Sequence, residues 1–207
     1  MAQTTSIAVY RGAIAASRMM EDELALVQLA RSGDRAAFDE LVRRHADGLY
    51  AVVVHLCSGA QEAEEITQEA FLRAWRGLPG FRGGSQFFTW LYRIGVNEAR
   101  RRSNQRRRGE LVVSLEEHRE RAACDRSLRP EDRAEQAELR CELDRAIGCL
   151  PVDHRAALVL RDIEGLSTAQ AAAVLGVREA AFKSRLHRAR VTLREALAHH
   201  DPQRVTP

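Results

Sequence analysis

Lysine is almost missing: of the 32 basic residues in this 207-residue chain, only Lys183 is not an arginine. Aromatics make up only 5% of the chain against 29% charged residues, as in a soluble helical protein. The four cysteines (57, 124, 141 and 149) form no CxxC pair. Cys141 and Cys149 stand eight apart with His154 nearby, which is not a zinc spacing, so the expectation is reduced thiols in a cytoplasmic protein. No run approaches the ~18 apolar residues of a membrane span. The first twenty residues lack a compact apolar core with a cleavage site. They read as a disordered extension, with Met19 or Met20 a candidate start. GxGxxG, P-loop, HExxH and nucleophile-elbow patterns are all missing. The carboxylates of Glu62 to Glu69 have no histidine on their helix to complete a metal site. A non-enzymatic chain without cofactor or metal is expected.

What is present is segregated charge. The net charge of +3 hides the stretch from Phe71 to Arg108, which holds ten arginines against one acid, Glu98, for a formal charge of +9. It also holds seven of the eleven aromatics: Phe71, Trp75, Phe81, Phe87, Phe88, Trp90 and Tyr92. Arginine attracts phosphate and aromatic faces stack on unpaired bases, so the mixture suits a single-stranded nucleic acid. An amphipathic helix pair explains some of these aromatics as core, since Phe71, Trp75, Trp90 and Ile94 fall at helical spacing. It does not explain so long a run with one acid, because solvated faces mix both signs.

No β-type alternation occurs, and the chain reads as all-α: two small helical domains joined by a flexible linker. A helix from Glu21 to Ala30 turns Leu24, Val27 and Leu29 inward. Asp34 caps a long helix from Arg35, with Phe38, Leu41, Val42, His45, Leu49, Val52, Val53 and Leu56 at three-and-four spacing. Gln61 to Arg76 forms the next, with Ala63, Ile66, Ala70, Phe71 and Ala74 inside. Its outer face runs from acidic to basic, which suits the helix dipole. Leu78-Pro79-Gly80 breaks it. Phe81 to Ser85 is a loop, and a helix follows from Gln86 to about Gln105. The first domain is drawn at 21–108, the linker at 109–133, the second domain at 134–200 and a tail at 201–207. In the second domain Ala134 to Cys149 is helical, with Leu139, Leu143, Ala146 and Ile147 inward. A second helix runs from Leu150-Pro151 to Ile163.

From Ser167 the pattern is helix-turn-helix. Ser167 is an N-cap, Ala171, Ala172, Val174 and Leu175 face in, and Gly176 takes the turn needing positive φ. Phe182, Leu186, Ala189, Leu193 and Leu197 then form one stripe, while Lys183, Ser184, Arg185, His187 and Arg188 fall largely opposite. Such a face offers cations to phosphate and Arg or Lys to guanine edges in a major groove. An ordinary αα-hairpin with a basic face is the plainer alternative.

Three blocks in register resemble the extracytoplasmic-function (ECF) group of bacterial RNA polymerase sigma factors, within the sigma-70 family. They are SGDRAAFDELVRRH (32–45), EAEEITQEAFLRAWRGLPGFRGGSQFFTWLYRIGVNEARRR (62–102) and LPVDHRAALVLRDIEGLS…LGV…KSRLHRAR (150–190). The resemblance implies promoter-specific transcription initiation by a second sigma domain that reads and melts the −10 element and a fourth that reads the −35 element. It places Glu64, Glu65, Gln68, Glu69, Leu72 and Trp75 on the helix that binds the β′ clamp coiled coil of core polymerase. It places Phe81, Arg82, Gly83, Gly84 and Ser85 in the loop that captures a flipped −10 base, with Trp90, Arg93, Asn97, Arg100 and Arg101 on the helix after it. It assigns Lys183, Ser184, Arg185 and Arg188 to the −35 face, and Arg178 is a further candidate there. The implied partners are core polymerase, through the clamp and the β flap, promoter DNA, and an anti-sigma factor. Three places depart from the family pattern: 177–182 replaces the usual Val-Pro-x-Gly-Thr-Val, 168–172 replaces Tyr-Glu-Glu-Ile-Ala, and Phe88 stands where a basic residue is common. A helix-turn-helix regulator acting without core polymerase is the other reading.

Overall fold

A computed structural model describes residues 22–110 and 142–198. The N-terminal extension, most of the linker and the tail expected from the sequence lie outside them. Eight helices make up the described chain, in two groups, with no strand among the described residues. The first group is α1 (22–31), α2 (Arg35–Val54), α3 (Ala60–Gly77) and α4 (Phe87–Glu110). Asp34 caps α2 by accepting from the amides of Ala36 at 2.9 Å and Ala37 at 3.2 Å. It thereby satisfies two donors that have no partner inside the helix. Ala63, Ile66, Ala70, Phe71 and Ala74 form the buried stripe of α3, as their spacing predicts. They pack against Phe38, Leu41, Leu49, Val52 and Val53 of α2 and Leu91 and Val96 of α4 in one buried cluster. Gly95 lets α4 close on α2, since a Cβ there would stand 2.8 Å from the Leu49 side chain.

Two readings of these helices need correction. Leu24 and Leu29 are 57% and 51% exposed, and α1 buries Val27 and Ala30 instead. Ten residues make fewer than three turns, so apolar spacing leaves the buried face open. α4 also runs past Gln105 to Glu110. Arg102 and Arg106 find Glu65 and Glu62 on α3, which ties this last part of α4 to its neighbour.

The second group is α5 (142–149), α6 (Val152–Leu158), α7 (Thr168–Leu175) and α8 (Glu179–Ala198). α6 continues as a π turn over Val159–Ile163, with the Glu164 amide donating to the Val159 carbonyl five residues back. Ser167 and Gln170 form a reciprocal capping box at the start of α7, and Gly176 ends it at φ 65°. That left-handed conformation suits glycine. Phe182 is fully buried beneath α8, with Leu186 and Ala189. Leu143, expected inside, is exposed beside Ile163, Leu193 and Leu197 along an open apolar groove.

The two groups touch. α4 packs on α7, Arg100 pairs with Asp153 at 2.5 Å, and the Gln170 amide donates to Gln86 at 3.3 Å. Arg155 reaches back to the His55 carbonyl at 3.4 Å. Burial in this seam lowers the His55 pKa, against the field of Asp144.

Candidate nucleic-acid interface

Most aromatics of the basic stretch are not available for stacking. Phe71, Phe81, Phe87 and Tyr92 are buried, and Trp75, Phe88 and Trp90 lean on the core. Phe81 lies 4.9 Å from Trp90 and 6.3 Å from Phe87, centroid to centroid. Gly77 makes room for Trp90, since a Cβ there would stand 3.2 Å from its ring. Core packing, not base stacking, therefore occupies most of these rings: Phe81, Phe87 and Trp90 cluster under the loop, Phe71 and Trp75 pack on Phe38, and Phe88 packs on Tyr92. Around Phe81, Arg82, Gly83, Gly84 and Ser85 stand exposed, with Gly83 at φ 71°. The anchored ring and the left-handed glycine make a loop held at its base and open at its crest.

The arginines behave differently from a solvated fringe. Glu98, the one acid of the run, has a side chain only 1% exposed and accepts from three guanidinium groups. Arg73 of α3 donates to it at 3.0 Å, Arg101 at 2.5 and 3.0 Å, and Arg102 at 3.2 Å. Hydrogen bonds from Arg101 overcome burial and, with Arg102 and the nearby Arg73 charge, bring its pKa down to about 2. Arg102 also reaches Glu65 at 3.0 Å, Arg73 holds Glu69 at 2.7 Å, and Arg106 pairs with Glu62. Glu62 in turn accepts from the Ser58 amide and hydroxyl at 2.9 and 2.7 Å. Charge-assisted bonds of this kind fix the register of α3 on α4.

Glu64, Glu65, Gln68 and Leu72 are exposed on the outer side of α3, with Glu69 and Trp75 half-buried beside them. Leu72 is 52% exposed and stands one turn after Glu69 on this face. On α4, Asn97 and Arg101 face solvent, Trp90 and Arg100 are half-buried, and Arg93 lies over the helix-turn-helix turn. A Cβ on Gly176 would stand 3.1 Å from Arg93.

On α8, Lys183, Ser184, His187 and Arg188 are exposed on one side, with Arg178 just before the helix. The Phe182 amide donates to the Arg178 carbonyl at 3.0 Å, so α8 starts at Glu179 without a proline. Arg185 is drawn toward Asp153 at 3.9 Å, the carboxylate that also holds Arg100. Asp153 is the residue that sequence reasoning missed. Its partners are far apart in the chain, and no local pattern marks it.

Comparison with known proteins bears directly on this arrangement. The sigma-70 region 2 family matches residues 41–109, and the sigma-70 region 4 family matches 142–193. The chain is 38% identical to the RNA polymerase sigma-H factor of Pseudomonas aeruginosa over 183 residues, 86% of this chain and 94% of that one. The chain belongs to the sigma-70 family, and relatives of the ECF group match it along most of its length. It is 39% identical to the ECF factor SigE of Mycolicibacterium smegmatis over 83% of this chain and 67% of that one. Against the ECF sigma-E factor of Escherichia coli the identity is 35%, over 84% and 93%. CnrH, solved in complex with the cytosolic domain of CnrY, superposes with a TM-score of 0.63 at 30% identity over 87% of this chain and 99% of that one. RpoE of Bartonella quintana, solved with the anti-sigma factor NepR, gives 0.58 at 30%, over 78% and 96%. ECF sigma factors are transcription initiation factors. No described helix is long and apolar enough to cross a membrane.

Proposed function

We propose that this ECF factor divides promoter recognition between its two halves. α3 docks on the clamp coiled coil of core polymerase through Glu64, Glu65, Gln68, Glu69, Leu72 and Trp75. The 81–85 loop and α4 take the −10 element through Arg82, Gly84, Ser85, Arg93, Asn97, Arg100 and Arg101, with Trp90 in the base of the loop. Phe81 supports that loop from beneath. α8 enters the −35 major groove with Lys183, Ser184, Arg185 and Arg188, and Arg178, just before the helix, belongs to the same −35 face. The fourth domain meets the β flap, and an anti-sigma factor holds the free protein in check. The observation that carries this reading is the pairing of an exposed loop on an aromatic base with a separate helix-turn-helix. A duplex-only regulator has no use for the loop.

The relatives support the last partner: two solved neighbours are complexes, one of them with a named anti-sigma factor. The test is promoter binding with and without core polymerase, titrated with salt. Binding by the holoenzyme is expected to be at least about tenfold tighter than by the free chain. Its log K is expected to fall by about 0.9 per duplex phosphate contact and about 0.7 per single-stranded one. Core-independent, sequence-specific binding would instead support a plain helix-turn-helix regulator.

A further inference from the structure

Glu98 is a nearly buried acid in the most basic stretch of the chain, and promoter binding as described above leaves it without a role. A carboxylate there works against phosphate affinity. It is nevertheless held by guanidinium groups from two helices. Arg101 meets it with two nitrogens, one on each carboxylate oxygen. That fork fixes both the direction and the rotamer of the arginine. Arg102 is held between Glu98 and Glu65, so its head is also set. By contrast, Arg76, Arg82 and Arg107 have no carboxylate partner among the described residues and are exposed. The basic run thus contains two kinds of cation: arginines held in place by an acid, and arginines free to meet any phosphate.

We infer that Glu98 is a positioning residue for promoter recognition, which holds Arg101 and Arg102 in one orientation and withholds them from indiscriminate phosphate contact. This rests on the assignment of α4 to the −10 element. A phosphate-seeking arginine raises affinity for all DNA alike, whereas a fixed one favours a particular geometry of strand. Glu98 lowers general affinity and raises selectivity. Removing its charge while keeping its shape is expected to reverse both. Arg73, Arg101 and Arg102 have side chains 44%, 52% and 27% exposed, so their heads can turn to water and the helix pair survives.

The experiment compares holoenzymes carrying wild type, Glu98→Gln or Glu98→Asp. The probes are a promoter fragment located by transcript start-site mapping and a random-sequence duplex of equal length. Glu98→Gln is expected to bind the random duplex more tightly, with a salt slope steeper by about 0.9–1.8, one or two extra phosphate contacts. The promoter-to-random ratio is expected to fall about fivefold or more. Glu98→Asp keeps the charge and is expected to restore the slope while recovering only part of the ratio. A clip with no positioning role predicts a lower thermal midpoint with slope and ratio unchanged, and that result overturns the proposal. A wild-type holoenzyme without preference for the mapped promoter overturns the assignment of α4 itself, and the proposal with it.

Discussion

α4 and α8 are both basic helices, yet they carry their charge differently. On α4, Arg101 and Arg102 sit on Glu98, Arg106 on Glu62 and Arg100 on Asp153. On α8, Lys183 and Arg188 are exposed with no carboxylate partner among the described residues, and Arg190 is paired with Asp162. A duplex presents a rigid groove, so a rigid helix with loose side chains suffices to read it. A melted strand has no fixed shape, and there the protein must supply the geometry. Under the proposed division, the held arginines of α4 and the exposed Lys183 and Arg188 of α8 match those two demands, and Arg185, drawn toward Asp153, is the exception.

The comparison breaks most strongly at the core beneath α8. Phe182 is fully buried in the core on which α8 packs against α6 and α7. Phe182→Ala is expected to cost about 3–5 kcal/mol. That should melt the second half first. Two resolved transitions are expected in a thermal scan of the variant, with clamp binding by α3 kept at the lower temperatures. A single transition shifted as a whole would show that the seam makes one cooperative unit of both halves.

Acid sharpens the comparison from the other side. The folded Glu98 pKa is about 2 against an ordinary 4.5, held down chiefly by Arg101. Its contribution to stability is therefore complete above about pH 4.5 and is lost as pH falls toward 2. α8 has no corresponding group among its described residues. Urea midpoints measured from pH 5 to 2 should fall more steeply for wild type than for Glu98→Gln, and the two should converge near pH 2. Parallel curves would mean that the Glu98 pKa is the same in the folded and unfolded states, so that its guanidinium partners contribute nothing to stability.

Helical periodicity made much of this legible. The stripes of α3 and α8, the Asp34 and Ser167 caps and the Gly176 turn all follow from spacing and residue chemistry. The face of α1 did not, because ten residues hold too few turns. The aromatics of 71–92 were ambiguous for a related reason: stacking platforms and cores use the same rings at the same spacing, and only packing tells them apart. The pairing of Glu98 was invisible as well. One acid among ten arginines reads as dilution of charge, and its burial against Arg73, 25 residues away, is a property of how α3 meets α4. Asp153 escaped notice because both of its partners lie on other helices.

The most direct test of the division between the helices is open-complex formation by holoenzymes carrying Arg101→Ala or Arg185→Ala. Each is assayed on the mapped promoter and on transversions of its −10 and −35 elements. The account predicts a crossed pattern. Arg101→Ala should narrow the gap between native and mutated −10 elements and leave −35 discrimination intact, and Arg185→Ala should do the reverse. An arginine of α8 forked onto a guanine supplies about 1–3 kcal/mol of that discrimination. If both variants depress every promoter by a common factor, both arginines are plain phosphate contacts and the division of labour between α4 and α8 is wrong.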